Sequence, residues 1–192
     1  MLSRVGFEPV ARSLISAKAP VRGVASLDQV DQFGAINLRL PDATLPAKAT
    51  KEYGLLLPAS PNTFTQQGDV TVLWLGPDEW MIHAPLKKTH DLKQGLEAKL
   101  GGRHAAVTDV SDNSVAMELG GQSARRILEK GCPLDLHPRA FGAGQCAQSH
   151  FLQAVILLAQ IESDRFLLRV RRSMSEYLWD ALADAILKEG RN

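Results

Sequence analysis

The sequence predicts an α+β domain in which helices pack on largely antiparallel sheet, and three observations carry that prediction. Residues 70–75 are β-branched and apolar, Gly76-Pro77-Asp78-Glu79 turns, and residues 80–84 run apolar again, which is the pattern of a hairpin. A second run of strands is expected at 146–152, 154–161 and 165–170, with Ser163-Asp164 as the turn joining the last two. The third is the C-terminal stretch, where Met174, Tyr177, Leu178, Ala181, Leu182, Ala185 and Ile186 follow the spacing of one buried helical stripe.

In chain order, residues 1–25 carry Arg4, Arg12, Lys18 and Arg22 against the single acid Glu8. They read as a flexible N-terminal arm, with an organellar transit peptide as the alternative. Over 26–69 the turn signals Pro41-Asp42, Leu57-Pro58 and Ser60-Pro61-Asn62 surround one alternating segment, residues 35–40, which reads as a half-buried strand. After Pro85, Leu92, Leu96 and Leu100 stack on one helical face, and Gly101-Gly102 supplies the stop. Residues 105–110 return as a strand, and Val115, Met117 and Leu119 alternate as another. Gly120-Gly121 leads into a short helix through Ala124, Ile127 and Leu128 that Gly131 closes, and Pro133 and Pro138 punctuate the loop beyond. Ser173 and Glu176 have the spacing of a capping box for the last helix, and Gly190 ends it. The expected layout is a single compact domain over 26–189 built from two successive strand-helix-strand modules, about 26–112 and 113–189.

Composition limits the partners. The 192 residues are 45% hydrophobic, and 22 Lys plus Arg against 21 Asp plus Glu leave a formal charge of +1. That balance lacks the cationic excess that neutralising a phosphate backbone requires, so nucleic acid is not an expected partner. The longest apolar runs, such as 154–159, fall far short of the roughly 20 residues of a membrane helix, so no membrane is expected either. Cys132 and Cys146 suit neither a disulfide framework nor a zinc ribbon, which points to a reducing cytoplasm.

Gly142-Ala143-Gly144 fits the glycine spacing of a dinucleotide-binding turn, but a strand follows where that motif opens a helix, so a plain turn is expected. His83, His90, His104, His137 and His150 are dispersed, with no pair spaced to grip a metal. Cys132 reads as a small buried apolar residue. Asp109 and Asp112 flank Ser111 at a strand end, where an Asx turn is expected and a ligand-facing carboxylate is the alternative. Arg169 and Arg171 fall on one side of a strand, as a solvated face or a salt-bridged interface would place them. Trp74, Trp80 and Trp179 are expected in the core or at an interface centre. No motif assembles a self-sufficient active site.

Three segments in one order, residues 72–80 (Val-Leu-Trp-Leu-Gly-Pro-Asp-Glu-Trp), Thr108-Asp109-Val110-Ser111-Asp112 and residues 131–138 (Gly-Cys-Pro-Leu-Asp-Leu-His-Pro), resemble the gamma subunits of heterotetrameric sarcosine oxidase. The likeness continues through Ile36-Asn37-Leu38-Arg39, Leu57-Pro58, Arg171-Arg172-Ser173 and Tyr177-Leu178-Trp179, covering 22–187. The resemblance implies a fold like the folate-binding aminomethyltransferase domain, which likewise shows a strand ending in Asp and a glycine-led helix, here Asp109 and 120–128. It also implies a cytoplasmic complex of alpha, beta, gamma and delta chains that oxidatively demethylates sarcosine to glycine, with folate accepting the one-carbon unit and oxygen yielding peroxide. FAD, FMN, NAD, tetrahydrofolate and zinc are then held by the other subunits, and no catalytic, cofactor or metal residue is carried onto this chain. The alternative is a free-standing folate-binding or folate-dependent one-carbon transferase, with Asp109 as anchor. For docking on alpha, the loop 132–141 offers Leu134, Leu136 and Phe141 as apolar anchors, against the reading of a loop tucked onto its own core.

Overall fold

Alternating side chains give each strand one face for a helix and one for something else, and the structure shows what that is: a second sheet. A computed structural model describes residue 15 and residues 17–30, 33–40 and 54–190. The expected turn at Pro41-Asp42 lies outside the described residues, as does most of the expected N-terminal arm. Within that arm Ile15 is fully buried.

The elements are β1 (Val21–Arg22), β2 (Ser26–Val30), β3 (Phe33–Arg39), β4 (Phe64–Gln67), β5 (Val70–Gly76), β6 (Glu79–Pro85), α1 (Leu86–Leu100) and β7 (Ala106–Asp109). There follow β8 (Ser114–Gly120), α2 (Ala124–Glu129), β9 (Cys146–Phe151), β10 (Ala154–Glu162), β11 (Arg165–Arg171) and α3 (Ser175–Glu189). They pair into a five-stranded sheet ordered β4-β5-β6-β3-β7 and a six-stranded sheet ordered β1-β2-β8-β11-β10-β9. Every pairing is antiparallel. β2, which precedes β3 in the chain, belongs to the six-stranded sheet, where Leu27 lies opposite Leu119 of β8.

Three apolar clusters follow from the layering. Ile36, Leu38, Trp80 and Ile82 meet Leu96 and Leu100 of α1 on the outer face of the five-stranded sheet. Met117, Leu119, Ile156, Phe166 and Leu168 meet α2 and α3 on the outer face of the other. A smaller cluster, Leu73, Cys146 and Ala159 with Phe64, Met81, Leu157 and Leu167, lies between the sheets. The fold is therefore α+β, with two antiparallel sheets face to face and helices outside.

Two features lock these layers. Gly34 of β3 lies under the first turn of α1, where an added Cβ would stand 1.8 Å from Thr89 Oγ1. The Gly142–Gln145 segment closes a turn, Gln145 N donating to Gly142 O at 3.1 Å with Gly144 at φ +88°. Phe64 N then donates to Gly144 O at 3.0 Å and Cys146 N to Asn62 O at 2.9 Å, which stitches the edges of the two sheets. The glycines thus serve turn geometry, as expected.

Leu136 and Phe141 are buried in the chain's own core, with the partly buried Leu134 packed against the same cluster, which is the arrangement of a loop tucked onto its own core. Arg125 of α2 clasps that loop, donating to the carbonyls of Leu136 and Phe141 while its guanidinium lies 5.3 Å from the Phe166 ring centroid. Residues 172–174 form a single 3₁₀ turn and α3 begins at Ser175 without a side-chain cap, so the box expected from Ser173 and Glu176 does not form. Tyr177 is exposed, and Trp179 fills the stripe with Leu178, Leu182 and Ile186.

Two outcomes follow from this packing. Leu136→Asp places an unpaired charge in the core and will lower stability by about 3 kcal/mol or more, seen in chemical denaturation. Gly34→Ala will cost about 1–3 kcal/mol in the same measurement by forcing α1 off β3.

Candidate functional site between the sheets

The inner faces of the sheets part at one end to leave a cavity of about 430 Å³. Alternation on β3, β6 and β7 brings Asn37, Arg39, Glu79, Met81 and Thr108 to its wall on one side. Ser114 of β8, Leu157 of β10 and Arg169 and Arg171 of β11 line the other.

Arg169 is the unusual member. It was expected on a solvated face or in a salt-bridged interface, yet it is only 6% exposed, because the second sheet covers the side of β11 from which it projects. Its Nε donates to Ser114 Oγ, its Nη2 to Val110 O at 3.2 Å, and its Nη1 contacts His83 Nε2 at 3.2 Å. No carboxylate among the described residues pairs with it. Burial brings its pKa down to about 10, so it remains charged at neutral pH. A guanidinium has no acceptor, so Nε2 of His83 must accept and the ring proton resides on Nδ1. His83 is itself buried on β6. Burial first, and the neighbouring Arg169 cation second, hold its pKa well below the usual 6.5, which keeps the imidazole neutral.

The other charged side chains of the cavity are balanced differently. Glu79 accepts from Arg39 Nη2 and from Asn37 Nδ2, each at 2.7 Å. Arg171 is exposed. Among the described lining residues, three arginines thus face one carboxylate that is already engaged.

The remaining candidates are elsewhere. Asp109 Oδ1 accepts from Ser111 N at 2.9 Å and Ser111 Oγ at 2.6 Å, which is the expected Asx turn, and alternation puts its side chain on the face of β7 opposite Thr108. Cys132 is buried with its Sγ 3.6 Å from Ser149 Oγ. Cys146 is buried too, and burial raises its thiol to about 11. His90, His104, His137 and His150 are exposed and apart. Among the described residues no three His, Cys, Asp or Glu side chains gather as metal ligands, and no helix is long and apolar enough to cross a membrane. Trp80 is fully buried, donating from Nε1 to Pro58 O at 3.0 Å, and Trp179 is buried. The pairing of His83 with Arg169 could not be seen in the sequence, where 86 positions separate them.

Two antiparallel sheets with helices outside resemble the fold of an aminomethyltransferase. The glycine cleavage system aminomethyltransferase T from Bartonella henselae superposes with a TM-score of 0.61 at 16% identity, over 84% of this chain and 46% of that one, a likeness of fold alone. Residues 40–188 match the model of the sarcosine oxidase gamma subunit family, and the chain belongs to that family. It is 30% identical over 181 residues to the sarcosine oxidase subunit gamma of Corynebacterium sp. (strain U-96), spanning 92% of this chain and 86% of the relative. Against the subunit gamma of Corynebacterium sp. (strain P-1) it is 37% identical over 115 residues, which spans 56% of that relative's length. A chain of the heterotetrameric sarcosine oxidase from Corynebacterium sp. U-96, in complex with pyrrole 2-carboxylate, superposes with a TM-score of 0.84 at 29% identity, over 94% of this chain and 96% of that one.

The neutral burial of His83 has a measurable consequence. Below about pH 6.5 the unfolded chain takes up a proton that the folded chain refuses, so stability present above that pH is lost as pH falls. The limiting slope is about 1.4 kcal/mol per pH unit. Thermal midpoints measured from pH 7 to 5 will fall in the wild type, and His83→Gln will flatten that dependence.

Proposed function

We propose that this chain is a non-catalytic structural subunit of a heterotetrameric sarcosine oxidase. It fills space and surface that alpha, beta and delta chains leave open, alpha above all. The observation that carries the reading is the superposition on a chain of the Corynebacterium complex across nearly the full length of both. The family match over 40–188 supports it. In this reading the oxidative demethylation of sarcosine to glycine, with folate as one-carbon acceptor, occurs on the other chains. FAD, FMN, NAD, tetrahydrofolate and zinc are held there too. The complex works in the cytoplasm.

An obligate subunit contact of this kind covers on the order of 2,000 Å² or more, and it would be made by exposed residues, with the loop anchors Leu136 and Phe141 turned inward.

Co-expression with the adjacent reading frames is the test. An affinity tag on this chain will retain a large nucleotide-binding chain, a flavoprotein and a small zinc protein, and the eluted complex will release peroxide from sarcosine. The isolated chain will release none; turnover of sarcosine or of reduced folate by the single chain would overturn the proposal.

A further inference from the structure

Among the described residues, the cation that the cavity between the sheets holds has no paired anion. Arg169 spends one N–H of each of its nitrogens on Ser114, Val110 and His83, all neutral partners, which leaves one hydrogen on each terminal nitrogen. Glu79, the one carboxylate among the described lining residues, is taken by Arg39 and Asn37 on the opposite sheet. Buried cations are stabilised by a paired anion, and a guanidinium fork suits the two oxygens of a carboxylate. Met81 and Leu157 add apolar wall, and Arg171 adds positive charge. At about 430 Å³ the space is in the range of small-molecule sites.

We propose that this cavity binds a small organic monocarboxylate, its oxygens on the hydrogens left by Arg169 and its apolar body against Met81 and Leu157. A monoanion is favoured because Arg39 is already offset by Glu79, leaving Arg169 as the buried charge to balance. The carboxylate has two sources, a free acid or an Asp or Glu side chain presented by an assembly partner. The site stands on this chain's own residues and does not depend on the subunit reading.

Benzoate is the probe, titrated into the full-length chain while the Nε–H resonance of Arg169 and the thermal midpoint are followed. Benzoate at up to millimolar concentration will shift the resonance and raise the midpoint, and benzamide, which has the shape without the charge, will do neither. Arg169→Gln will weaken binding about tenfold or more. Leu157→Trp, which keeps the cation and fills the space, will abolish binding, so the test survives if Arg169→Gln does not fold. A wild-type chain in which benzoate moves neither signal, or in which benzamide acts equally, overturns the proposal. Equilibrium dialysis of labelled benzoate against the assembled complex then separates the sources. Retained binding identifies a free acid, and binding present in the single chain but lost in the complex identifies a partner carboxylate.

Discussion

The contact between Arg169 and His83 is the constraint around which the two sheets are arranged. A guanidinium taken out of water loses hydration worth several kcal/mol, and only well-placed acceptors offset that loss. Here they come from both sides of the gap: His83 from β6, Ser114 from the start of β8 and the carbonyl of Val110 from the segment leading into it. Sliding one sheet over the other would separate the cation from at least one acceptor. The polar contact therefore fixes relative position, while the apolar cluster beside it is small and contributes little directional preference.

Stability resides in the outer layers. The two helix-facing clusters contain most of the large buried side chains, and they are joined at the edge by backbone bonds around Gly144 and Asn62. The same economy explains the loop beyond α2. Arg125 satisfies two loop carbonyls and Gln160 at once, the last at 3.0 Å, so a proline-punctuated segment becomes part of the core.

How much of this was legible depends on what a pattern can express. Strands β5, β6, β9, β10 and β11 were readable because one or both faces are apolar enough for alternation to show. β2 and β4, Ser-Leu-Asp-Gln-Val and Phe-Thr-Gln-Gln, were not, since neighbouring strands recruit them through backbone bonds that leave no mark on side-chain pattern. The side of β11 that carries Arg169 was correctly read, but period-two alternation does not say what covers a face. Apolar loop residues posed the same problem: Leu134, Leu136 and Phe141 were visible as anchors, and their direction was set by an arginine on the preceding helix. The family likeness carried the function, because no cluster of chemical groups in the sequence did.

The placement of β2 has a consequence for the nascent chain. Ser26 pairs with Gly120 and Val30 with Ala116, so this strand leaves the ribosome well before its partner has been made. The hairpins β9-β10 and β10-β11 close locally, whereas the other side of that sheet must recruit β2 from far up the polypeptide. Until synthesis passes residue 120, the row of hydrogen-bonding groups on β2 that faces β8 has no strand to pair with, and the other row has only the two-residue β1, which makes the interval before β8 emerges the period of greatest exposure to mispairing.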